Sequence, residues 1–596
     1  MERVADYVIK RLVEAGVKHI FLLTGRGILY LTDAVAKNKE IEGIPTYHEQ
    51  GASYAAMAYA SASGGLSACL VSTGCAATNA VTAALCAYQD NLPVIFISGQ
   101  HMLNETTRHT NVPIRTYGSQ EADIISIVES VTKYSTMLTD PSEVAKEMDK
   151  LILNANTGRK GPVWIDIPLD IQNARIEANN LDRLTEDKAD QPIDQSIVCQ
   201  VAAAINDSER PVLFIGGGVR SANAIELLSR LAEKTRIPVV FSAAAADTFG
   251  SGNELSIGAV GSIGGSRAGN FTIQNSDLVL AIGTKLSSQS IGDKTEFARE
   301  AKLIVVDIDK AEHTKKEPHI DLLINADAKD FIAELLKKNI ANHNDAWVSK
   351  CKHWKLEFDV DNELFVKASV HENKIDLYHF ASILSDMVSD DATVITDAGL
   401  EELILPSAMK YRIGQRCLFP KSQGAMGYAI PAIIGAYYSG KNNIIVVVGD
   451  GSFMMNMQEL LIISDRKIPV KIFVINNNMY AVIRKRQKDL FRTRTIGNDP
   501  SDGLPAPDLK KIATGFDIEY QCIRDEAGLS NGIGNVLSSE GAVICEVKCV
   551  EDQKYLHMSF AFNDKKKLVK RPLEDLSPFL SRDVFKREMI IDQAVE

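Results

Sequence analysis

Long apolar runs are missing from this chain: no stretch of about 18 residues could serve as a membrane-spanning helix. An excess of positive charge is missing too. The 65 Lys and Arg stand against 77 Asp and Glu, a formal net charge of −12. A nucleic-acid partner would call for a basic face, so that class is set aside. None of the nine cysteines forms a Cys-x-x-Cys pair, which removes the usual zinc-ribbon and disulfide-framework signatures and makes the cytoplasm the expected location. Cys545 and Cys549, with His557 nearby, read as core residues. There is no secretory leader pattern, because MERVADYVIKRLVEAG mixes acids and bases along an amphipathic helix. No short repeat or low-complexity tract is visible.

What remains is the profile of a globular protein, 45% hydrophobic and 24% charged over 596 residues. At roughly 150 residues per domain, that length predicts three or four domains. Three segments alternate short apolar runs with helical stretches, the pattern of parallel α/β sheets. HIFLL, SACLVS, PVIFIS and GPVWIDIP mark the first segment. PVLFIGGG, IPVVFS, DLVLAIG and KLIVVDID mark the second, and ATVITD, NIIVVVGD, PVKIFVIN and AVICEVK the third. EANNLDRLTEDKADQPID reads as a linker, and a polar tail with KKK at 565–567 closes the chain. The first and third segments share a rhythm.

The run NIIVVV leads straight into Gly449-Asp450-Gly451-Ser452. A strand end opening into a helix N-terminus presents free N–H groups to an anion, and glycines let the backbone come close. Alone, Gly-Asp-Gly is also what a tight turn looks like. The next strand, PVKIFVI, ends in Asn476-Asn477-Asn478, with Asn477 27 residues after Asp450. One strand–helix–strand unit of a parallel sheet sets two strand ends side by side, so Asp450 and the Asn cluster can converge on one hard cation. In the first segment, His48-Glu49-Gln50-Gly51 follows the strand GIPTY and precedes the small-residue stretch ASYAAMAYASAS. That places the Glu49 carboxylate at a strand end, buried yet directed at a ligand.

The pairing of Gly-Asp-Gly with Asn-Asn resembles the thiamine-diphosphate motif, and HEQGA resembles the same family's activating-glutamate motif. YHEQGASYAAMAYA, STGCAATNAV, LPVIFISGQ, GRKGPVWIDIPLDIQ, GAMGYAIPAIIGA, GDGSFMMNMQEL and PVKIFVINNN are similar to the acetolactate synthase branch of that family, over about residues 4 to 550. RTYGSQEADIISIVESVTKY and RPLEDLSPFLSRDVF are similar to homologues from bacterial surface-polysaccharide gene clusters.

The resemblance implies three doubly wound α/β domains: pyrimidine-binding over 1–175, central over 195–340 and diphosphate-binding over 370–555, with a tail over 556–596. It implies thiamine diphosphate with Mg²⁺ held by Asp450, Asn477 and the backbone carbonyl of Met479. Glu49 would hydrogen-bond N1′ of the aminopyrimidine and so drive removal of the C2 proton in a dry pocket that raises its pKa. Gly25, Thr73, Asn79, Gly399, Gln423, Gly424, Gly449, Gly451, Ser452 and Tyr480 would line the cofactor, and Met426 would wedge it into a bent shape. Gln120 matches a glutamine near the reacting carbonyl, and His101 reads as a proton shuttle or a filled polar niche. The family's active site lies between subunits, Glu49 of one serving the metal site of another in a homodimer or homotetramer.

Departures from the family bear on the substrate. The tryptophan that acetohydroxyacid synthases carry after Asn-Asn is absent, and Arg484 to Arg486 occupy the region, so an anionic or larger acceptor fits better. Arg26 replaces a small residue in Thr24-Gly25-Arg26-Gly27 and is placed to grip a substrate carboxylate. Thr73-Gly74-Cys75-Ala76 stands in for SGPG. Gly216-Gly217-Gly218, Asp307 and Asp309 are weak nucleotide signals, while Lys285 and Ser287-Ser288-Gln289 replace the pattern that binds a non-redox FAD, leaving FAD, another nucleotide or an empty domain open. The expectation is decarboxylation of a 2-keto acid such as pyruvate, with carboligation to a second carbonyl. The alternatives are a simple decarboxylase or oxidase, or acyl transfer to a keto (nucleotide) sugar.

Overall fold

In a computed structural model, which describes residues 1–184, 192–341, 345–562 and 566–593, the chain builds three six-stranded parallel sheets with helices around them. The first sheet contains His19–Leu22, Glu42–Pro45, Ser67–Val71, Val94–Gln100, Tyr134–Met137 and Val163–Pro168. They lie side by side in the order second, first, third, fourth, sixth, fifth. The last sheet contains Thr393–Ile395, Arg416–Leu418, Ile444–Gly449, Val470–Asn476, Glu519–Ile523 and Val543–Lys548, in the same lateral order. The middle sheet, from Pro211–Ile215 to Leu322–Asn325, runs third, second, first, fourth, fifth, sixth. That is the doubly wound dinucleotide order, with its switch point between the first and fourth strands.

The inner strands are apolar at nearly every position because both faces are covered by helices. The two outer sheets meet through the helices Glu49–Ser63 and Ala429–Tyr438, each of which follows the second strand of its sheet. Small residues permit this contact. A Cβ on Gly435 would lie 2.0 Å from the carbonyl oxygen of Ala55, so only glycine allows the backbones to approach so closely. Tyr54 and Tyr428 meet edge to face across the joint at 5.5 Å. One hydrophobic cluster continues from Phe96 and Trp164 of the first sheet through Tyr54 to Ile433 and Val446 of the last. Each such buried Ile or Phe contributes roughly 1.5–3 kcal/mol of transfer free energy, and the joint fixes the strand ends that carry Glu49 and Asp450.

The tail, expected to be polar, is docked. Leu573, Leu576 and Phe585 are buried. Arg267 of the middle segment donates to Glu363 and to the carbonyls of Leu576 and Pro578, and Gln274 donates to Glu574 at 2.8 Å. Of the expected linker, 185–191 lie outside the described residues, as does Lys565 of the KKK run. No described helix is long and apolar enough to cross a membrane.

Candidate active site

Strand register brings the C-terminal candidates together. Gly449 pairs with Ile475, so the next residues along the two strands carry Asp450 and the Asn cluster to one edge of the sheet. Asp450 is 5% exposed. Its Oδ1 accepts from the N–H of Gly451 at 2.7 Å, while Oδ2 is buried with no hydrogen-bond partner. Burial pushes this carboxyl up to about 6. Asn477 is buried, its Oδ1 accepting from Met479 N at 3.2 Å. A buried carboxylate oxygen without a partner costs free energy unless something supplies positive charge. A hard cation needs oxygen ligands of this kind and takes the rest from backbone carbonyls, water and phosphate. The donor set therefore fits Mg²⁺ and a diphosphate. Among the described residues, no group of three or more His, Cys, Asp or Glu offers an alternative metal site; Cys545 is a buried strand residue whose thiol burial pushes up to about 12.

The surrounding loops leave room for a ligand. Gly399 has φ 125° and Gly424 φ 55°, values that side chains rarely adopt. Gly451 lies flush against the ring of Tyr480, where a Cβ would come within 1.9 Å. Ser452 donates to Asp397 Oδ2 at 2.7 Å and accepts from Gly427 N at 2.9 Å, which fixes the loop bearing Met426. Met426 itself is half-exposed and belongs to none of the hydrophobic clusters, so core packing does not account for it. Gln423 Nε2 donates to Gln89 Oε1 at 2.8 Å.

Beneath the loops lie acids the sequence reading did not single out. Asp397 is fully buried, and burial pushes it up to about 7. Burial likewise pushes Glu401 and Glu402 up to about 8. Asp397 follows the strand Thr393–Ile395 much as Asp450 follows its own, a polar residue at a strand end that could have flagged it.

The N-terminal candidates gather at the corresponding edge of the first sheet. Gly25, Gly27 and Gly99 interlock there. A Cβ on Gly27 would lie 1.9 Å from Thr73 Oγ1, and one on Gly99 1.9 Å from the carbonyl of Gly27. Gln120 has φ 66° and an exposed side chain, its carbonyl lying 2.2 Å from where a Cβ on Gly74 would be. A glutamine held in that left-handed conformation at a site edge marks stored strain. Arg26 is exposed and makes no hydrogen bond or ion pair among the described residues. His101 Nδ1 lies 2.6 Å from Glu105 Oε2, with its ring against Gly118.

Glu49 is the first residue of its helix, and its Oε2 accepts from Asn79 Nδ2 at 3.0 Å. The expected dry pocket is not closed within one chain: Glu49 is half-buried, because the helix end that carries it faces outward. Among the described residues it has no hydrogen bond to Asp450 or Asn477. Sequence reasoning also missed what lies behind it, Asn456 and Glu459, which reach the Glu49 turn from the last segment.

The basic run after the Asn cluster is largely committed. Arg484 Nε lies 2.6 Å from Asp499, and Lys485 Nζ 2.7 Å from Asp489; Arg486 is exposed. At the switch point of the middle sheet is a cavity of about 450 Å³, bounded by all three segments. Its glycines have a packing role, since a Cβ on Gly216 would lie 2.2 Å from the carbonyl of Gly283. Asp309 is held by Arg159 at 2.9 Å, and Lys285 by Ser422 at 2.7 Å.

Comparison with known proteins agrees with the three-sheet architecture. Residues 2–127 match the N-terminal TPP binding domain of thiamine pyrophosphate enzymes, 198–335 their central domain and 397–547 their C-terminal TPP binding domain. The chain is 30% identical to the acetolactate synthase isozyme 1 large subunit of Escherichia coli (strain K12), covering 93% of this chain and 95% of that one. It is 29% identical to the chloroplastic acetolactate synthase 3 of Brassica napus, covering 93% and 84%, and 28% identical to the chloroplastic acetolactate synthase of Arabidopsis thaliana, covering 94% and 84%. With the fold, the two strand-end half-sites and these matches in agreement, the chain belongs to the thiamine-diphosphate-dependent enzymes of the acetolactate synthase type.

Proposed function

We propose that the chain decarboxylates a 2-keto acid, in the simplest case pyruvate, and joins the retained acyl carbons to a second carbonyl. The observation that carries this reading is the orphaned Asp450 Oδ2 beside buried Asn477 in a glycine-lined cradle. Asp450, Asn477 and the Met479 carbonyl would hold Mg²⁺, and the N–H groups around Gly449 to Ser452 would meet the diphosphate. When bound, thiamine diphosphate supplies an electron sink for the carbon that loses CO₂.

The chain's own residues do the rest. Glu49 holds a proton at the aminopyrimidine nitrogen N1′. Met426, which belongs to none of the hydrophobic clusters, would contact the bound cofactor. Gln120 donates its amide to the oxygen that gains negative charge. Arg26, with no partner of its own, takes the keto-acid carboxylate. The outward-facing edge that carries Glu49 and the Arg26 loop supports their serving the metal half-site of a second copy, in a homodimer or homotetramer. The cytoplasm is its proposed location.

The acceptor is proposed to be anionic. Among the described residues Arg26 and Arg486 are exposed and make no ion pair, and no tryptophan follows the Asn cluster. A keto nucleotide sugar is such an acceptor, consistent with the segments similar to surface-polysaccharide homologues. Flavin is not assigned to the three-segment cavity. Asp90, Arg159, Lys285 and Lys421 are among its walls, and Phe419 is the one aromatic ring among its lining residues; no step is assigned to FAD.

The test is a product screen with Mg²⁺, thiamine diphosphate and pyruvate, offered alone, with 2-ketobutyrate and with phosphorylated keto sugars. An acyloin product supports the proposal. Free aldehyde alone would make the chain a simple decarboxylase, and peroxide an oxidase.

A further inference from the structure

Glu459 has no role in the chemistry described so far, yet it is 0% exposed and reaches across two segments. Its Oε1 and Oε2 each lie 3.2 Å from the backbone nitrogen of Tyr47, and Oε1 lies 3.1 Å from that of His48. Those two N–H groups belong to the turn immediately before Glu49. The next turn of the helix is shaped to admit the carboxylate, since a Cβ on Gly51 would sit 2.4 Å from Glu459 Oε1. Asn456, three residues upstream of Glu459 and held at φ 67°, adds a second tie. Its Nδ2 donates to Gln50 Oε1 and to the carbonyl of Gly427, each at 2.9 Å. Asp450 lies on the same short segment, nine residues before Glu459.

Two backbone N–H groups that share one buried carboxylate both lose that partner if it leaves, and the turn loses the anchor that fixes its position. A shift of about 1 Å in a proton-handling group costs catalysis far more than it costs binding.

We propose that Glu459 is a positioning residue for Glu49: its carboxylate fixes the backbone turn from which Glu49 projects and yokes that turn to the segment carrying the metal carboxylate Asp450. The inference rests on the reading that Glu49 activates the cofactor.

The test measures exchange of the cofactor C2 proton by NMR on full-length protein with Mg²⁺ and thiamine diphosphate, alongside cofactor affinity by calorimetry. Glu459→Ala should slow exchange by about tenfold or more while affinity changes by less than about threefold. Glu459→Gln, which keeps one acceptor oxygen for the turn, should recover much of the rate. Gly51→Ala should reproduce the loss by pushing the intact carboxylate aside, and it decides the matter if Glu459→Ala does not fold. Exchange unchanged in both Glu459→Ala and Gly51→Ala, or exchange and affinity falling in parallel, overturns the proposal. Glu49→Gln is the control. If it keeps full exchange, the activation reading fails and this inference with it; if it loses exchange while the Glu459 and Gly51 variants keep it, only this inference fails.

Discussion

The first and last sheets share one strand order but carry opposite chemistry at their strand ends. The first sheet closes its edge with interlocking glycines and leaves Arg26, Gln120 and half-buried Glu49 facing outward. The last sheet gathers Asp397, Glu401 and Asp450 into a buried acidic floor beneath loops whose Gly399 and Gly424 have positive φ. One scaffold used twice thus yields two strand-end clusters, which we propose to be half-sites, one for a heterocycle and a substrate carboxylate, the other for a diphosphate and its metal. The fold places residues at strand ends; the residues placed there decide the function.

The contrast can be broken from the N-terminal side first. Glu49→Gln should leave cofactor binding nearly intact and slow C2 proton exchange by about 10²-fold or more. If binding is lost as well, the division of labour between the sheets is wrong.

A second break targets the joint. Gly435→Ala drives a methyl into the Ala55 carbonyl and should cost about 1–3 kcal/mol of stability, read as a lower denaturation midpoint. A neutral result would mean that the two helices are free to separate.

The third prediction sharpens the electrostatic difference. Asp397, Glu401 and Glu402 have folded-state pKa values of about 7 to 8, above their unfolded values. The folded state therefore holds protons that the unfolded chain releases. Their contribution is fully present below the unfolded pKa of about 4 and is lost as pH rises through 7 to 8. Without cofactor, Tm should fall by roughly 5 °C or more between pH 6 and pH 9, and Glu401→Gln with Glu402→Gln should flatten that slope. A slope unchanged in the double variant would place the effect elsewhere.

The smallest effect is expected at the exposed lip. Arg26→Ala should weaken the apparent affinity for the keto acid by about tenfold, with cofactor binding unaltered; an unchanged KM would leave Arg26 without its assigned role.

How much of this was legible in the sequence follows from burial. The inner strands stood out because covering both faces demands unbroken apolar runs such as IIVVV and VIFI. Apart from GIPTY, edge strands did not: YSTM, SIGA, LLIN, RCL and EYQCI are short or mixed, because one side of each is left unpaired. Asp450 and Asn477 were legible because strand–helix–strand geometry converts their spacing into proximity. Glu459 was not legible as a partner of Tyr47 and His48, since 411 and 412 residues separate them and only tertiary packing brings them together. The outward placement of Glu49 was expected from the family resemblance alone, because a strand-end glutamate reads the same whether its own chain or another covers it.

The central claim is that the buried carboxylate of Asp450 and the amide of Asn477, at the ends of adjacent strands of the last sheet, hold the metal and diphosphate end of the cofactor. Calorimetric titration with thiamine diphosphate, with and without Mg²⁺, tests it most directly when wild type is compared with a folded Asp450→Ala variant. The account predicts Mg²⁺-dependent binding in the wild type, weakened by about 100-fold or more in the variant. Equal affinity in the two proteins, or wild-type binding indifferent to Mg²⁺, would contradict it.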